Sequence, residues 1–230
     1  MLFPDALELI RNQAKESREA SRSYSRNPRW WQFLWPRPVF RAAAEPLQRF
    51  IAGTRVGKRI LFCWCDAEVC PSDGTNVFAV QDDYFFGTVT SEIHTRWARL
   101  HSSTLEDRIR YTPTSAFATF PWPEPTATQR DAIAAVARRL YARRSEICLE
   151  RQIGLTKLYN QMDDGAWQDL RELHRELDEA VAAAYGWPRS VAHDPDESNR
   201  RLLELNREIA AGERPYDPFA YLRTGGESRS

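Results

Sequence analysis

Arginine and tryptophan cluster near the N-terminus of the chain, in a pattern that suits contact with a polyanion. The cluster consists of Arg22, Arg26, Arg29, Trp30, Trp31 and Arg37. Arginine can pair with phosphates and with base edges through two donors at once, and tryptophan offers a flat face for stacking. Large aromatic residues also dominate core packing, so burial of both tryptophans is an equally open interpretation. We predict that all six residues belong to a DNA-binding site, in which the arginines face outward and the tryptophans are buried.

A second basic group, formed by Arg55, Lys58 and Arg59, lies between two predicted strands. A β-rich recognition domain can push such a loop into a DNA groove, and Gly53 and Gly57 would permit a close approach of the backbone. The alternative is a plain hairpin turn whose charges are solvated. We predict that all three cations contact DNA.

The net charge of the chain is zero, but the charge is unevenly distributed. Residues 11–60 hold twelve Lys and Arg against three acids, a net charge of +9. Residues 161–220 hold seven arginines against fourteen acids, a net charge of −7. This asymmetry indicates that only the first part of the chain faces a polyanion.

The sequence offers little that suggests catalysis. A methyltransferase needs a glycine-rich turn for S-adenosylmethionine, and none of the ten glycines forms a Gly-x-Gly. Asn27-Pro-Arg-Trp30 approaches the Asn-Pro-Pro-aromatic loop that holds a flipped adenine, but arginine replaces the second proline. Cys63, Cys65 and Cys70 lack a fourth zinc ligand nearby, and the four histidines form no paired motif. We therefore predict no catalytic and no metal site.

The spacing of apolar residues predicts strands first and helices later. Strands are expected at 49–53, 60–66 and 77–80, and one helix is expected from Asp82 or Asp83 to Leu100. Pro121, Pro123 and Pro125 predict a stiff boundary. Beyond this boundary we expect three long helices: one capped at 128–131, one following a loop at 155–162 and ending at Gly186, and one running from about 198 to Gly212.

Two collinear blocks of sequence resemble a known protein family. One block contains Leu155-Thr-Lys-Leu-Tyr-Asn160 and continues through Leu170, His174 and Gly186-Trp187. The other runs from Arg29-Trp-Trp31 to Phe117-Ala-Thr-Phe-Pro-Trp-Pro123. Their order resembles the C-terminal part of MmeI-like type II restriction–modification methyltransferases and of related phage-defence DNA methyltransferases.

The resemblance implies an α+β protein, in which a mixed, small-sheet recognition domain is followed by a C-terminal helical region. We predict a target-recognition domain at 1–122, a helical domain at 126–220 and a disordered tail at 221–230. The implied function is sequence-specific recognition of double-stranded DNA for an adenine-N6 methyltransferase. The catalytic half would be a separate partner and would bind S-adenosylmethionine, so that this chain itself binds no cofactor.

Two alternatives stay open at this point. The chain could be a helical protein-interaction or assembly subunit, or a divergent methyltransferase that uses Asn27–Trp30. No apolar run approaches the roughly 20 residues that span a bilayer, and the four cysteines form no disulfide framework. We therefore expect a cytoplasmic protein without a membrane partner.

Overall fold

A computed structural model of the protein describes residues 4–20, 37–105 and 108–224. Clustering of contacts divides the chain into two compact units, Met1–Pro46 and Leu47–Ser230. The first unit contains two helices, α1 (Pro4–Glu19) and α2 (Pro38–Ala44). Pro38 suits the first turn of α2, where a missing N–H costs nothing.

The second unit begins with two small antiparallel sheets. One has the strand order β3–β1–β4, formed by β1 (Arg49–Thr54), β3 (Phe62–Asp66) and β4 (Thr75–Phe78). The other has the order β2–β6–β5, formed by β2 (Val56–Gly57), β5 (Ser103–Leu105) and β6 (Arg108–Arg110). The strands predicted near 49–53 and 60–66 are confirmed, and the third begins two residues earlier than expected.

The helix predicted from Asp82 or Asp83 to Leu100 is in fact two helices, α3 (Asp83–Thr90) and α4 (Glu92–His101). Ser91 separates them with an extended backbone, and its hydroxyl accepts a hydrogen bond from the His94 amide. Serine favours such N-cap positions because its side chain satisfies an otherwise unpaired amide. The apolar stripe nevertheless continues through the break and ends before Leu100, which is exposed.

After a π-helical turn at Pro113–Phe117, the rest of the unit is helical. Its helices are α5 (Ala127–Arg151), α6 (Leu155–Asp163), α7 (Gln168–Ala184), α8 (Arg189–Ala192), α9 (Pro195–Ala210) and α10 (Ala220–Thr224). The α+β class is therefore confirmed. No helix in the described part of the chain is long and apolar enough to cross a membrane.

Several helix boundaries differ from those that the sequence predicted. The expected loop at 155–162 is helix α6, because Leu158 and Tyr159 are buried on its inner face. Helix α5 begins earlier than expected, with a capping box formed by Thr126 and Gln129. Helix α7 has no side-chain cap and starts after Trp167, which adopts a left-handed backbone.

The C-terminal boundaries also differ. Helix α9 begins at Pro195, three residues ahead of the predicted start, and Asp194 is its N-cap. Residues 221–224 belong to helix α10 where a tail without structure was expected, and the Tyr221 hydroxyl donates a hydrogen bond to the Asp82 carboxylate. Residues 225–230 lie outside the described part of the chain.

One continuous core joins the sheets to the helices. Phe62 from β3, Phe86 from α3, Leu140 from α5 and Leu177 from α7 belong to the same buried cluster. Gly87 allows α3 to approach α5 closely, since a Cβ there would lie 2.8 Å from Ile133. The division at the proline segment stays a prediction, but the two sides of that segment share a core and together form the compact unit Leu47–Ser230.

Candidate nucleic-acid interface

Strand β6 carries two arginines on the same face. Arg108 and Arg110 are exposed, whereas Ile109 between them is half-buried and packs against the core. Successive side chains of a strand point to opposite faces, so an apolar residue facing inward directs both arginines outward. The β2–β6–β5 sheet is therefore attached to the core by one face and presents cations on the other.

Two of the predicted DNA contacts flank β2, beside these arginines. Arg55 and Lys58 are exposed, and Val56 between them pairs with Arg110. The Arg55 guanidinium donates a hydrogen bond to the Asp73 carbonyl oxygen at 3.3 Å. We call Arg55, Lys58, Arg108 and Arg110 the basic sheet surface.

A buried histidine fixes this sheet relative to the helices. His94 is fully buried, and its Nδ1 donates to the Val89 carbonyl oxygen at 2.9 Å. Its Nε2 is therefore free to accept a hydrogen bond from the Tyr111 hydroxyl at 3.2 Å. Burial lowers the pKa of His94 to about 4, so the ring is neutral at physiological pH. The Tyr111 amide in turn donates to the Arg55 carbonyl oxygen at 2.9 Å, which places Arg55 beside β6.

The third predicted contact, Arg59, has a different environment. Its side chain is largely buried, and its guanidinium forms an ion pair with Asp163 at the end of α6. The two residues are 104 positions apart in the sequence. Arg59 is thus engaged by the helical region, whereas Arg55 and Lys58 belong to the exposed sheet.

The glycines near this loop serve the internal packing of the protein. A Cβ on Gly53 would lie 2.6 Å from the Phe62 ring, and one on Gly57 would lie 3.1 Å from the Arg59 carbonyl oxygen. Real Cβ atoms tolerate neither distance easily. The need for glycine at both positions is explained by these neighbours, without any approach of a ligand.

The N-terminal candidates are located elsewhere in the chain. Arg22, Arg26, Arg29, Trp30 and Trp31 fall outside the described residues. Arg37 precedes α2 in a left-handed conformation, with φ at 50°, and belongs to the unit Met1–Pro46. Four of the nine predicted residues lie in the described part of the chain, and three of these, Arg55, Lys58 and Arg59, share one segment of the unit Leu47–Ser230.

Sequence reasoning missed Arg108 and Arg110 as candidate contacts. The alternation Arg-Ile-Arg is typical of a strand with one face on the core and the other in solvent. Three residues are too few, however, to distinguish a strand from a turn. Only the antiparallel register, which pairs Val56 with Arg110, shows that they lie next to the strand that Arg55 and Lys58 border.

Comparison with known proteins supports the resemblance that the sequence suggested. Residues 60–124 match the family described as MmeI, target recognition domain. No curated protein matches the chain.

A solved structure shares the fold. It is described as that of the Type IIL restriction-modification enzyme MmeI in complex with DNA, and it matches with a TM-score of 0.73 and 22% sequence identity. The match covers 89% of this chain but 26% of the MmeI chain, so the protein spans about a quarter of the length of that relative. The resemblance to the MmeI-like family is thus confirmed, in sequence over the target-recognition segment at 60–124 and in fold over most of the chain.

Proposed function

We propose that this chain is the DNA-recognition portion of a site-specific DNA methyltransferase of a restriction–modification or phage-defence system. The observation that carries the proposal is the basic sheet surface, displayed by a fold that resembles MmeI. Arg108 and Arg110 lie within the segment that matches the target recognition domain, and Arg55 and Lys58 border them.

The basic sheet surface has the chemistry that duplex DNA requires. Short antiparallel strands and their loops can enter a groove, where arginine pairs with guanine edges or with phosphates. Four cations on neighbouring positions would neutralise several phosphates at once, and release of the displaced counterions would favour binding. The anchored face, held by Ile109 and Tyr111, would keep these side chains in a fixed register with the bases.

The methyl transfer itself is assigned to a separate catalytic half. The sequence holds no Gly-x-Gly turn, and Asn27-Pro-Arg-Trp30 lacks the second proline of an adenine-binding loop. In this proposal the partner binds S-adenosylmethionine and modifies the amino group of adenine, while the present chain selects the sequence. Calorimetry with S-adenosylmethionine should accordingly show no saturable binding to the purified chain.

The DNA-binding role is tested by measuring duplex affinity as a function of salt concentration. We expect the logarithm of the affinity to fall linearly with the logarithm of salt, with a slope of about −0.9 for each phosphate neutralised. Arg55→Ala, Lys58→Ala and Arg110→Ala should each weaken binding. Loss of a phosphate contact should make the slope shallower by about 0.9, and relaxed sequence preference should mark a residue that reads a base.

Arg139→Ala is the matched control, because it removes one exposed cation whose partner is Glu176 on α7. It should leave both affinity and salt slope unchanged. Salt-independent binding, or three basic-sheet variants that bind like the wild type, would contradict the proposal.

A further inference from the structure

Two polar contacts tie the start of β3 to the C-terminal helices. Arg59 pairs with Asp163 on α6, and Nη2 of Arg144 on α5 donates to the Phe62 carbonyl oxygen at 2.8 Å. Both contacts reach the short segment 59–62, which directly follows Lys58 of the basic sheet surface. We call this pair of contacts the brace.

Arg144 is an unusual residue for this position, because it is 1% exposed. Within the described part of the chain, no carboxylate forms an ion pair with it, and its donors reach the Phe62 carbonyl and the Tyr159 hydroxyl. The guanidinium also lies 5.3 Å from the centre of the Tyr141 ring. A buried charge is costly unless its hydrogen bonds are made, so loss of the Phe62 carbonyl would be strongly unfavourable. This cost holds Phe62 in place.

The brace continues into one of the two sequence blocks that carry the family resemblance, the block that begins at Leu155. Tyr159 belongs to Leu155-Thr-Lys-Leu-Tyr-Asn160, and its hydroxyl lies 3.0 Å from Nε2 of His174 on α7. Burial, together with the nearby charge of Arg144, lowers the pKa of His174 to about 4. The neutral ring can accept a hydrogen bond from the Tyr159 hydroxyl, which leaves the Tyr159 oxygen free to accept a hydrogen bond from Arg144. The path Phe62–Arg144–Tyr159–His174 therefore joins β3 to α5, α6 and α7.

Ile60 and Phe62 pack in the core, and the two polar contacts add to this packing on the side that faces the helices. A cavity of about 190 Å³ lies between this segment and the helices, and Arg59, Arg144, Tyr159 and His174 are among the residues that line it. Asp163 also occupies the last turn of α6, where the helix dipole disfavours an acid. The positive charge of Arg59 compensates both the negative charge of the Asp163 carboxylate and the negative end of the helix dipole. Both effects stabilise the ion pair.

We infer that the brace sets the position of the loop that carries Arg55 and Lys58, between β1 and β3, and that Arg59 and Arg144 are positioning residues which do not contact DNA. The C-terminal helices would then determine where Arg55 and Lys58 stand relative to the bases. The functional part of this inference rests on the proposed DNA recognition, but the brace itself can be tested without DNA.

Amide hydrogen exchange tests the brace directly. The Thr54 amide donates to the Leu61 carbonyl oxygen at 3.2 Å, and its exchange rate reports how firmly the segment is held. Arg59→Met and Asp163→Asn should each raise this rate several-fold, and the double variant should raise it no further. Glu176→Gln, which removes an exposed ion pair between α5 and α7, should leave the rate unchanged. Unchanged exchange in both single variants would overturn the brace.

DNA binding then separates a positioning role from a contact. The probe is a duplex library with a randomised centre, from which a preferred sequence is selected. If Arg59 positions the loop, Arg59→Met and Asp163→Asn should reduce the preference for the selected sequence by similar factors and leave the salt slope unchanged. If Arg59 contacts a phosphate, Arg59→Met should make the slope shallower by about 0.9, and Asp163→Asn should tighten binding. That second pattern would overturn the inference.

Arg144→Lys and Arg144→Met extend the test to the buried contact. Lysine keeps the charge but cannot donate to Phe62 and Tyr159 in the same geometry, so we expect faster Thr54 exchange in a chain that still melts cooperatively. If either variant fails to fold, the partly exposed Arg59–Asp163 pair decides the question alone. Absence of duplex binding by the wild-type chain would overturn the proposed function and the effect on specificity, while the exchange rates would still decide the brace.

Discussion

The two sheets have the same number of strands but opposite relations to the core. In the β3–β1–β4 sheet, the central strand is buried along most of its length, and Phe50 and Ile51 are fully inaccessible. In the β2–β6–β5 sheet, no strand exceeds three residues, and Ile109 in the middle strand is only half-buried. The first sheet is part of the core, and the second is attached to its edge.

Basic residues show the same contrast. Arg49 of the first sheet is neutralised by Asp83 at 2.7 Å and stacks on Trp64, with 3.8 Å from the guanidinium to the ring centre. Arg110 of the second sheet is exposed on a strand that pairs with β2. A sheet that the core holds by one face can devote its other face to ligand contact, because those side chains do not contribute to packing. The first sheet therefore has a structural role, and the proposed DNA recognition belongs to the second.

The largest expected effect concerns matched isoleucines in the two central strands. Ile51→Ala should lower the free energy of unfolding by about 2–5 kcal/mol, because it empties a fully buried site. Ile109→Ala should cost about 1 kcal/mol, because the side chain is only partly buried and has less apolar surface to lose. Chemical denaturation of both variants measures the difference. Equal losses would show that the second sheet is as much a part of the core as the first.

The stability that His94 contributes, where it joins the β2–β6–β5 sheet to the helices, should depend on pH. The folded-state pKa of His94, about 4, lies below its ordinary value of 6.5, so the unfolded chain takes up this proton first as the pH falls. The contribution of His94 to stability is therefore complete above about pH 6.5 and is lost as the pH falls towards 4, by up to about 3 kcal/mol. The measurement is the free energy of unfolding across this range in the wild type and in His94→Gln.

The comparison with the variant is needed because other groups titrate in the same range. The pKa of His174 is also lowered, to about 4. Burial raises the pKa of Asp178 to about 7, so its ionisation destabilises the fold as the pH rises from about 4 to 7, in the opposite sense. Only the difference between the two curves reports on His94, and parallel curves would contradict the assigned role.

The smallest expected change in stability distinguishes two arginines. Arg49→Ala should cost about 1 kcal/mol, since it removes an ion pair and a cation–π contact, but it should leave duplex affinity unchanged. Arg110→Ala should change stability by less than about 0.5 kcal/mol and should weaken duplex binding. Thermal melts and salt-dependent affinities for both variants test the contrast. If Arg49→Ala weakened duplex binding and Arg110→Ala lowered stability, the roles given to the two sheets would be wrong.

The sequence predicts the elements that depend on local signals. The apolar run at 60–66 and the periodic leucines of α7 lead directly to β3 and to a buried helix face. Ser91 is also a local signal, because serine favours N-cap positions. The apolar periodicity continues across Ser91, however, so the sequence does not show that one helix ends there and another begins. Helix α6 was missed because its buried positions, Leu158 and Tyr159, are adjacent and do not form a visible period.

The candidate site is harder to predict from the sequence, because its surface forms only when strands that are distant in the sequence pair with each other. Arg55 and Arg110 are 55 positions apart, and only the pairing of β2 with β6 brings them together. The same limitation applies to Arg59, since its charge suggests DNA whereas its partner, Asp163, lies 104 residues away. Tertiary contacts therefore decide which cations of a basic loop remain exposed.

Hydrogen exchange in the presence and absence of duplex DNA tests the central claim most directly. We predict that a duplex library with a randomised centre, at low salt, slows amide exchange at residues 55–58 and 108–110. The exposed faces of α5 and α9 should exchange at the same rate with and without DNA. Protection confined to the helices, with no change in the β2–β6–β5 sheet, would contradict the assignment of that sheet to DNA recognition.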